Sequence, residues 1–184
     1  RFGVRRIITT PGMLGESETA LDVIRHSIKA SAVEVAELSR GATFTASSHK
    51  IRILHPPRRR LRGSDNAISL VLQIDCGGKT LILPGDLEPP GTRLLFHADR
   101  PPPGGILMAP HHGSLRMDAA TVLQWSRPSE TIVSGGQRAR RPEVQEMLSF
   151  TGSGVHVTSH IGAIRIRIDE DGKLQVHSWT QSPW

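Results

Sequence analysis

Residues 81–88 (LILPGDLE) and 106–114 (ILMAPHHGS) decide the fold of this chain. Each stretch begins as an apolar run of strand length and ends in side chains that can bind a metal ion. In an α/β sheet, side chains at the carboxyl ends of neighbouring strands converge on one crevice. Carboxylate and imidazole are ligands that zinc and manganese accept. The two stretches therefore predict a sheet with part of a metal site at one edge.

Composition limits the class of protein. The 184 residues suffice for one domain with a sizeable core, and 37% hydrophobic with 22% charged residues is ordinary for a soluble domain. Aromatic residues make up only 4%, which argues against a module that binds nucleic acid by stacking bases on exposed rings. The net charge of +6 favours an anionic partner such as a phosphodiester backbone, a phosphorylated substrate or a lipid surface, unless it reflects only an arginine-rich surface.

Other classes are excluded by what the sequence lacks. The single cysteine, Cys76, cannot form an internal disulfide, and nothing indicates a small organic cofactor. No apolar stretch of these residues approaches the roughly 20 needed to span a bilayer, and we expect no signal peptide among them. The chain opens on Arg1 rather than Met and enters a strand-like segment at once, so we expect it to be cut from a longer polypeptide.

Strand and helix patterns predict an α/β (α+β) protein with a mixed sheet, in one domain over residues 1–184 with a terminal hairpin and tail from residue 168. A Cys76-Gly77-Gly78 turn should join two strands in a hairpin. Strands are predicted at 5–10, 33–38, 42–45, 51–55, 67–74, 79–83, 106–109, 131–134, 155–158, 163–168 and 174–177. Helices are predicted behind a Ser17 cap, over 87–96, from an Asp118 cap to residue 125, and from Pro142 to residue 150.

Asp86 is the strongest single candidate for chemistry. A Gly-Asp step at the end of a buried strand lets the backbone turn and leaves the carboxylate at the sheet edge. The alternative role for Asp86 is to cap the helix that follows it.

His111 and His112 directly follow the second strand, where a buried pair would be hard to satisfy as core. Consecutive side chains at a strand end point in different directions, so we expect one histidine to bind metal and the other to orient it or contact substrate. Alternatively, one is structural and the other is solvent-exposed. Ser114 either caps the next turn or hydrogen-bonds a phosphate.

Residues 56–63 form a basic loop that is the best local candidate for phosphate contact, through Arg58, Arg59 and Arg60, unless it is only a solvated charge run. The other histidines, including His55, are expected to be structural or on the surface. His160 is the one that could face the crevice. Two or three ligands do not complete a hydrolytic site, because activating water with two metals needs several His and Asp ligands, and the first fifty residues contain no His-x-His-x-Asp-His cluster.

The order of these pieces resembles the metallo-β-lactamase superfamily and, more narrowly, the soluble hydrolase-like domain of the ComEC family of competence DNA-uptake channels. The resemblance covers the chain from about residue 38 to residue 168. Its motifs are specific only in combination, and none of them is specific alone. The matching motifs are LHPP at 54–57, DNAISLVL at 65–72, LPGDLE at 83–88, APHHGS at 109–114, IVSGG at 132–136 and GAI at 162–164.

The resemblance implies an αββα sandwich in which Asp86 bridges two divalent ions, zinc or manganese, and His111 ligates one of them, with His112 as the alternative. It places the family's His-rich first metal motif upstream of Arg1, so that this fragment alone would bind metal weakly or not at all. It also implies that the chain is a soluble domain of a multi-pass protein of the bacterial cytoplasmic membrane, facing the extracytoplasmic side.

The sequence departs from that family pattern at three places. Arg140-Arg141-Pro142 stands where relatives often carry Gly-His-Pro, residues 116–118 replace a further Ser or Thr, and residues 90–92 replace an expected Glu. The leading hypothesis is a metal-dependent phosphodiesterase or nuclease acting on the non-imported DNA strand, with Arg138, Arg140 and Arg141 helping to draw in the backbone. The alternatives are a degenerate domain that holds DNA without cutting it, and a free-standing hydrolase of a small ester, lactone or thioester.

Overall fold

A computed structural model describes residues 3–59, 61, 63–114, 118–149 and 152–181 of the chain. The strands are β1 (Arg6–Thr9), β2 (Glu34–Glu37), β3 (Thr43–Ala46), β4 (His49–His55), β5 (Val71–Cys76), β6 (Lys79–Leu83), β7 (Ile106–Met108), β8 (Glu130–Val133), β9 (Gly154–Val157), β10 (Ile164–Ile168) and β11 (Leu174–Ser178). The helices are α1 (Thr19–Ser31), α2 (Gly91–Leu95), α3 (Ala119–Ser126), α4 (Pro142–Ser149) and α5 (Thr158–Ile161).

A seven-stranded sheet in the order β3-β4-β5-β6-β7-β8-β9 forms the centre of the fold. Strands β3 to β6 run antiparallel, and β6 to β9 run parallel. The change occurs after the two-residue turn Gly77-Gly78, where both glycines have positive φ as a tight hairpin requires. The predicted α/β class with a mixed sheet is confirmed.

Helices connect the parallel strands, and the hydrophobic core lies between these helices and the sheet. Helix α3 begins where Asp118 accepts a hydrogen bond from the Thr121 backbone N–H at 3.2 Å, which is the predicted cap. Its residues Ala119, Val122, Leu123 and Trp125 are buried in the hydrophobic core. The buried cluster comprises Leu54, Val71, Ile82, Leu87, Leu95, Leu107, Ala109, Ala119, Val122, Leu123, Trp125, Val133, Ala139, Val144, Leu148 and Val157.

Three predicted boundaries are wrong. The strand expected at 67–74 starts only at Val71, because Ser64 caps a 3-10 turn over Asp65–Ile68. The helix expected over 87–96 is the single turn of α2, since Pro89 and Pro90 have no backbone N–H to donate within a helix. Helix α1 begins after Glu18 without a side-chain cap, so Ser17 is not its capping residue.

Two smaller sheets lie outside the central one. Strands β1 and β2 are parallel and are connected through α1, whose only buried residue is Leu21. Strands β10 and β11 form an antiparallel terminal hairpin and lie where strands were predicted at 163–168 and 174–177. Across the ranges that the structure describes, none of the helices has the length and apolar character required to cross a membrane.

Candidate functional site

The candidate site lies at one edge of the central sheet. Strands β6, β7, β8 and β9 are parallel, so their carboxyl ends share that edge. The loop after β6 carries Asp86, and the loop after β7 carries His111 and His112. The backbone N–H of His111 donates to the carbonyl of Gly85 at 3.0 Å, which ties the two loops together. The predicted convergence of the two stretches is therefore observed.

His112 is the histidine that faces Asp86. Its Nε2 lies 3.5 Å from Oδ1 of Asp86, and the two side chains are 62% and 46% exposed. Its Nδ1 lies 2.6 Å from the carbonyl oxygen of Ser134, just after β8. A carbonyl can only accept, so Nδ1 carries a proton and donates it, and Nε2 is the ring nitrogen that is left to face Asp86. This is the arrangement in which an imidazole can ligate a metal ion.

His111 lies beside a different carboxylate. Its Nδ1 is 3.6 Å from Oε2 of Glu88, and the two side chains are only 31% and 26% exposed. Glu88 is held on its other oxygen, where the Ser64 hydroxyl donates to Oε1 at 2.5 Å. The two histidines thus belong to two acid–histidine pairs, His112 with Asp86 and His111 with Glu88.

The backbone explains how adjacent histidines reach different partners. His111, His112 and Gly113 all have positive φ, at 45°, 56° and 78°. Such left-handed residues are uncommon outside glycine, and each non-glycine one costs about 1 kcal/mol or more. The Ser114 backbone N–H closes the turn by donating to the His111 carbonyl at 3.0 Å. The loop therefore turns sharply and points its two imidazoles apart.

The donor set fits part of a metal site. Two ligand atoms about 2.1 Å from one ion at a tetrahedral angle lie about 3.4 Å apart. The 3.5 Å between Asp86 Oδ1 and His112 Nε2 matches that spacing, so the pair could occupy two adjacent positions around one ion. Within the ranges that the structure describes, no group of three or more His, Cys, Asp or Glu side chains could hold an ion.

Arginines surround the site on one side. The 3-10 turn Gln137–Arg140 packs next to the His112 backbone, since a Cβ built on Gly135 would lie 2.6 Å from the Ala139 Cβ and 3.3 Å from the His112 carbonyl oxygen. Arg138, Arg140 and Arg141 are exposed there, and Arg140 also donates a short hydrogen bond to the carbonyl of Ser159. The 3-10 turn that carries Arg138 and Arg140, with Arg141 directly after it, therefore lies alongside the His112 loop.

The basic loop lies further along the edge. Arg58 and Arg59 are exposed, and Arg60 lies outside the described residues. Arg59 lines an open cavity of about 450 Å³ whose other walls include Thr10, Glu16 and Asp65. Asp65 follows Ser64 directly, so this cavity begins next to the residue that holds Glu88.

Three other predicted histidine roles can be compared with the structure. His55 is fully buried at the end of β4, where its Nδ1 lies 2.9 Å from the carbonyl oxygen of Ser69, in agreement with a structural role. His160 contacts Gln145 at 3.4 Å rather than the Asp86 loop. His156 pairs with Glu130 at 2.7 Å between β8 and β9.

Sequence reasoning assigned no role to Glu88 or Ser64. A signal for each was present: Glu88 stands two positions after Asp86, and Ser64 precedes Asp65-Asn66 as helix-capping serines do. Their contact spans 24 positions in the sequence, so only the folded chain brings them together.

Two curated proteins resemble this chain. It is 25% identical over 174 residues to ComE operon protein 3 of Bacillus subtilis, a match that covers 94% of this chain and 21% of that protein. It is 28% identical over 137 residues to Recombination protein 2 of Haemophilus influenzae, covering 70% of this chain and 17% of that protein. The chain thus spans about a fifth of the length of these relatives. No protein-family model matches.

Proposed function

We propose that this chain is the metal-dependent, phosphodiesterase-like part of a DNA-uptake protein of the ComEC type, with a metallo-β-lactamase-like site. The observation that supports this most directly is the Asp86–His112 pair, with 3.5 Å between the two donor atoms. The ring of His112 is already fixed by its bond to Ser134, so its Nε2 would bind an ion without first changing tautomer.

The proposed ion is zinc or manganese, which accept carboxylate and imidazole together. Asp86 and His112 would hold it here, and His111 is the further candidate that the family resemblance favours. That resemblance assigns the remaining ligands, and a second ion, to a His-rich motif before residue 1. A divalent ion supplies a Lewis acid that polarises the phosphoryl group.

The arginines supply the substrate side of the proposal. Arg138, Arg140 and Arg141 are exposed beside the His112 loop, where they would neutralise backbone phosphates next to the metal. Arg58 and Arg59, with Arg60 and Ser114, are proposed to extend that track along the sheet edge. DNA bound in this way is held by charge rather than by base stacking, as the scarcity of aromatic residues requires.

The cellular setting is also a proposal. The chain would be a soluble domain of a multi-pass protein of the bacterial cytoplasmic membrane, where it acts on the non-imported strand on the extracytoplasmic side. The resemblance to ComE operon protein 3, of which the match covers 21%, supports a larger parent protein. Sequencing the rest of the gene that encodes this chain tests this part. Membrane-spanning segments are expected upstream of residue 1, and their absence would favour a free-standing hydrolase.

A nuclease assay tests the activity. The chain extended upstream to restore the His-rich motif is given single- and double-stranded DNA with Mn²⁺, Zn²⁺ or EDTA. We expect metal-dependent cleavage that falls by about 100-fold or more in Asp86→Ala and in His112→Ala. His97→Ala, which removes an exposed histidine after α2, is the matched control and should cleave normally.

The double variant Asp86→Ala/His112→Ala should lose little more than either single variant, because ligands of one ion act as a unit. Cleavage that survives Asp86→Ala would contradict the proposal. The second candidate, a domain that holds DNA without cutting it, is favoured by Arg140 and Arg141, which stand where the family often has Gly-His. It predicts no cleavage with any metal, and DNA retention that is sensitive to salt and survives Asp86→Ala.

A further inference from the structure

The Ser64–Glu88 contact holds a carboxylate in a fixed position. Ser64 accepts a hydrogen bond from the Ala67 backbone N–H at 3.2 Å, which anchors it at the start of the 3-10 turn Asp65–Ile68. Its hydroxyl proton is directed at Oε1 of Glu88, 2.5 Å away. One oxygen of Glu88 is therefore occupied, and Oε2 faces His111.

The ring of His111 is buried on one side and open on the other. Its Nδ1 is buried and, among the residues that the structure describes, has no hydrogen-bond partner, although Oε2 of Glu88 lies at 3.6 Å. The side chain as a whole is nevertheless 31% exposed, so other atoms of His111 are open to solvent. A buried polar nitrogen without a partner is costly, and closing this gap by a few tenths of an ångström would satisfy it.

We propose that Ser64 and Glu88 are positioning residues that fix His111 with its proton on Nδ1 and so present Nε2 to the crevice as a bare lone pair. A carboxylate only accepts, so it selects the Nδ1–H tautomer and makes Nε2 the better ligand. The use of that lone pair by a metal ion rests on the proposed function. The tautomer does not, since it is argued from the Ser64–Glu88 hydrogen bond and from the 3.6 Å approach of Glu88 Oε2 to Nδ1 of His111.

The variant Glu88→Gln tests the tautomer with almost no change of shape. The Ser64 hydroxyl will continue to donate to an oxygen, so the amide oxygen takes the place of Oε1 and the amide NH₂ takes the place of Oε2. That NH₂ would donate to Nδ1 of His111, which requires a lone pair there and moves the ring proton to Nε2.

Long-range ¹H–¹⁵N NMR spectra of the imidazoles show which ring nitrogen carries the proton. They are measured on the full-length protein. We expect the wild-type His111 signals, assigned with His111→Gln, to show Nδ1–H, and those of Glu88→Gln to show Nε2–H. Ser64→Asp keeps a capping oxygen but cannot donate to Glu88, and should leave His111 a mixture. Glu146→Gln, on the exposed side of α4, is the matched control and should change nothing. A wild-type Nε2–H form, or no change in Glu88→Gln, would overturn the proposal.

Mn²⁺ binding separates this inference from the function on which it draws. We expect Glu88→Gln to weaken Mn²⁺ binding about tenfold or more, as loss of a ligand-orienting carboxylate does, and Asp86→Ala to abolish it. If the wild type binds no Mn²⁺ but its tautomer inverts in Glu88→Gln, the positioning role stands and the metal-dependent function fails. If Mn²⁺ binds to the wild type and to Glu88→Gln alike and the tautomer does not move, the positioning role fails and the function stands.

Discussion

The two acid–histidine pairs are adjacent in the sequence and opposite in character. His112 and Asp86 are open, with side chains 62% and 46% exposed. His111 and Glu88 are half as exposed, at 31% and 26%, and Ser64 backs the carboxylate. The open pair has the geometry to accept a ligand, while the enclosed pair has the geometry to hold a ring in place. Proximity in sequence therefore does not imply the same role in a site.

Each pair also rests on a different part of the fold. His112 is fixed from the β8 side by the Ser134 carbonyl, so it depends on the parallel strands. Glu88 is fixed from the side of the 3-10 turn by Ser64, so it depends on the contact between that turn and α2. A change in one support should leave the other pair in place, so each pair can be disrupted separately.

Gly91→Ala should have the largest effect. A Cβ on Gly91 would lie 2.2 Å from the Ala67 carbonyl oxygen and 2.7 Å from Leu87 Cδ1, so α2 and the 3-10 turn must separate. We expect a loss of about 3 kcal/mol in the free energy of unfolding, measured with urea, and disruption of the enclosed pair. Gly15→Ala, with no atom within 4 Å of the new Cβ, should unfold as the wild type does. A wild-type midpoint for Gly91→Ala would show that this contact does not support Glu88.

The site was predictable from sequence as far as strand order determines it. Asp86 and the two histidines follow apolar strands that run parallel, so their arrival at one edge follows from the pattern alone. Which histidine meets Asp86 does not follow from that pattern. The choice depends on a left-handed backbone at His111 and His112, and alternation of side chains along a strand says nothing about residues beyond its end.

The fold, too, was predictable where neighbouring residues determine the structure and not where a contact distant in sequence does. The Gly77-Gly78 hairpin and the Asp118 cap depend on a few neighbouring residues and were predicted correctly. The strand expected from residue 67 was wrong because its first residues are apolar enough for a strand, yet the Ser64 cap turns them into a 3-10 helix. The same serine was overlooked as a partner of Glu88, since that contact is made only after folding.

Replacing His112 by glycine or by alanine isolates the backbone strain under the open pair. Both variants remove the imidazole, but only glycine adopts a φ of 56° without a steric penalty. We expect His112→Gly to be more stable than His112→Ala by about 1 kcal/mol in thermal unfolding. At Glu146 inside α4 the order should reverse by about 1 kcal/mol, because glycine weakens a helix interior. Equal stability of the two His112 variants would mean that the turn carries no strain at this position.

The smallest expected effect concerns His55, which lies at the carboxyl end of β4, fully buried. Burial lowers the pKa of His55, the hydrogen bond to the Ser69 carbonyl partly offsets this by raising it, and the charge of Arg40 lowers it further. The unfolded chain therefore takes up a proton at this residue near pH 6.5, while the folded chain stays neutral to lower pH. Protonation favours unfolding, so stability from this residue is complete above about pH 6.5 and falls as the pH decreases below it.

His55→Gln cannot take up that proton. We expect its urea midpoint to fall less between pH 7.5 and pH 5.5 than the wild-type midpoint does, whatever its absolute stability. His97→Gln removes an exposed histidine and should show the full wild-type fall. The same fall in both variants would mean that His55 is not held neutral by burial. Burial would then have no effect on the protonation of His55. The distinction between open and enclosed imidazoles would apply only to the two acid–histidine pairs.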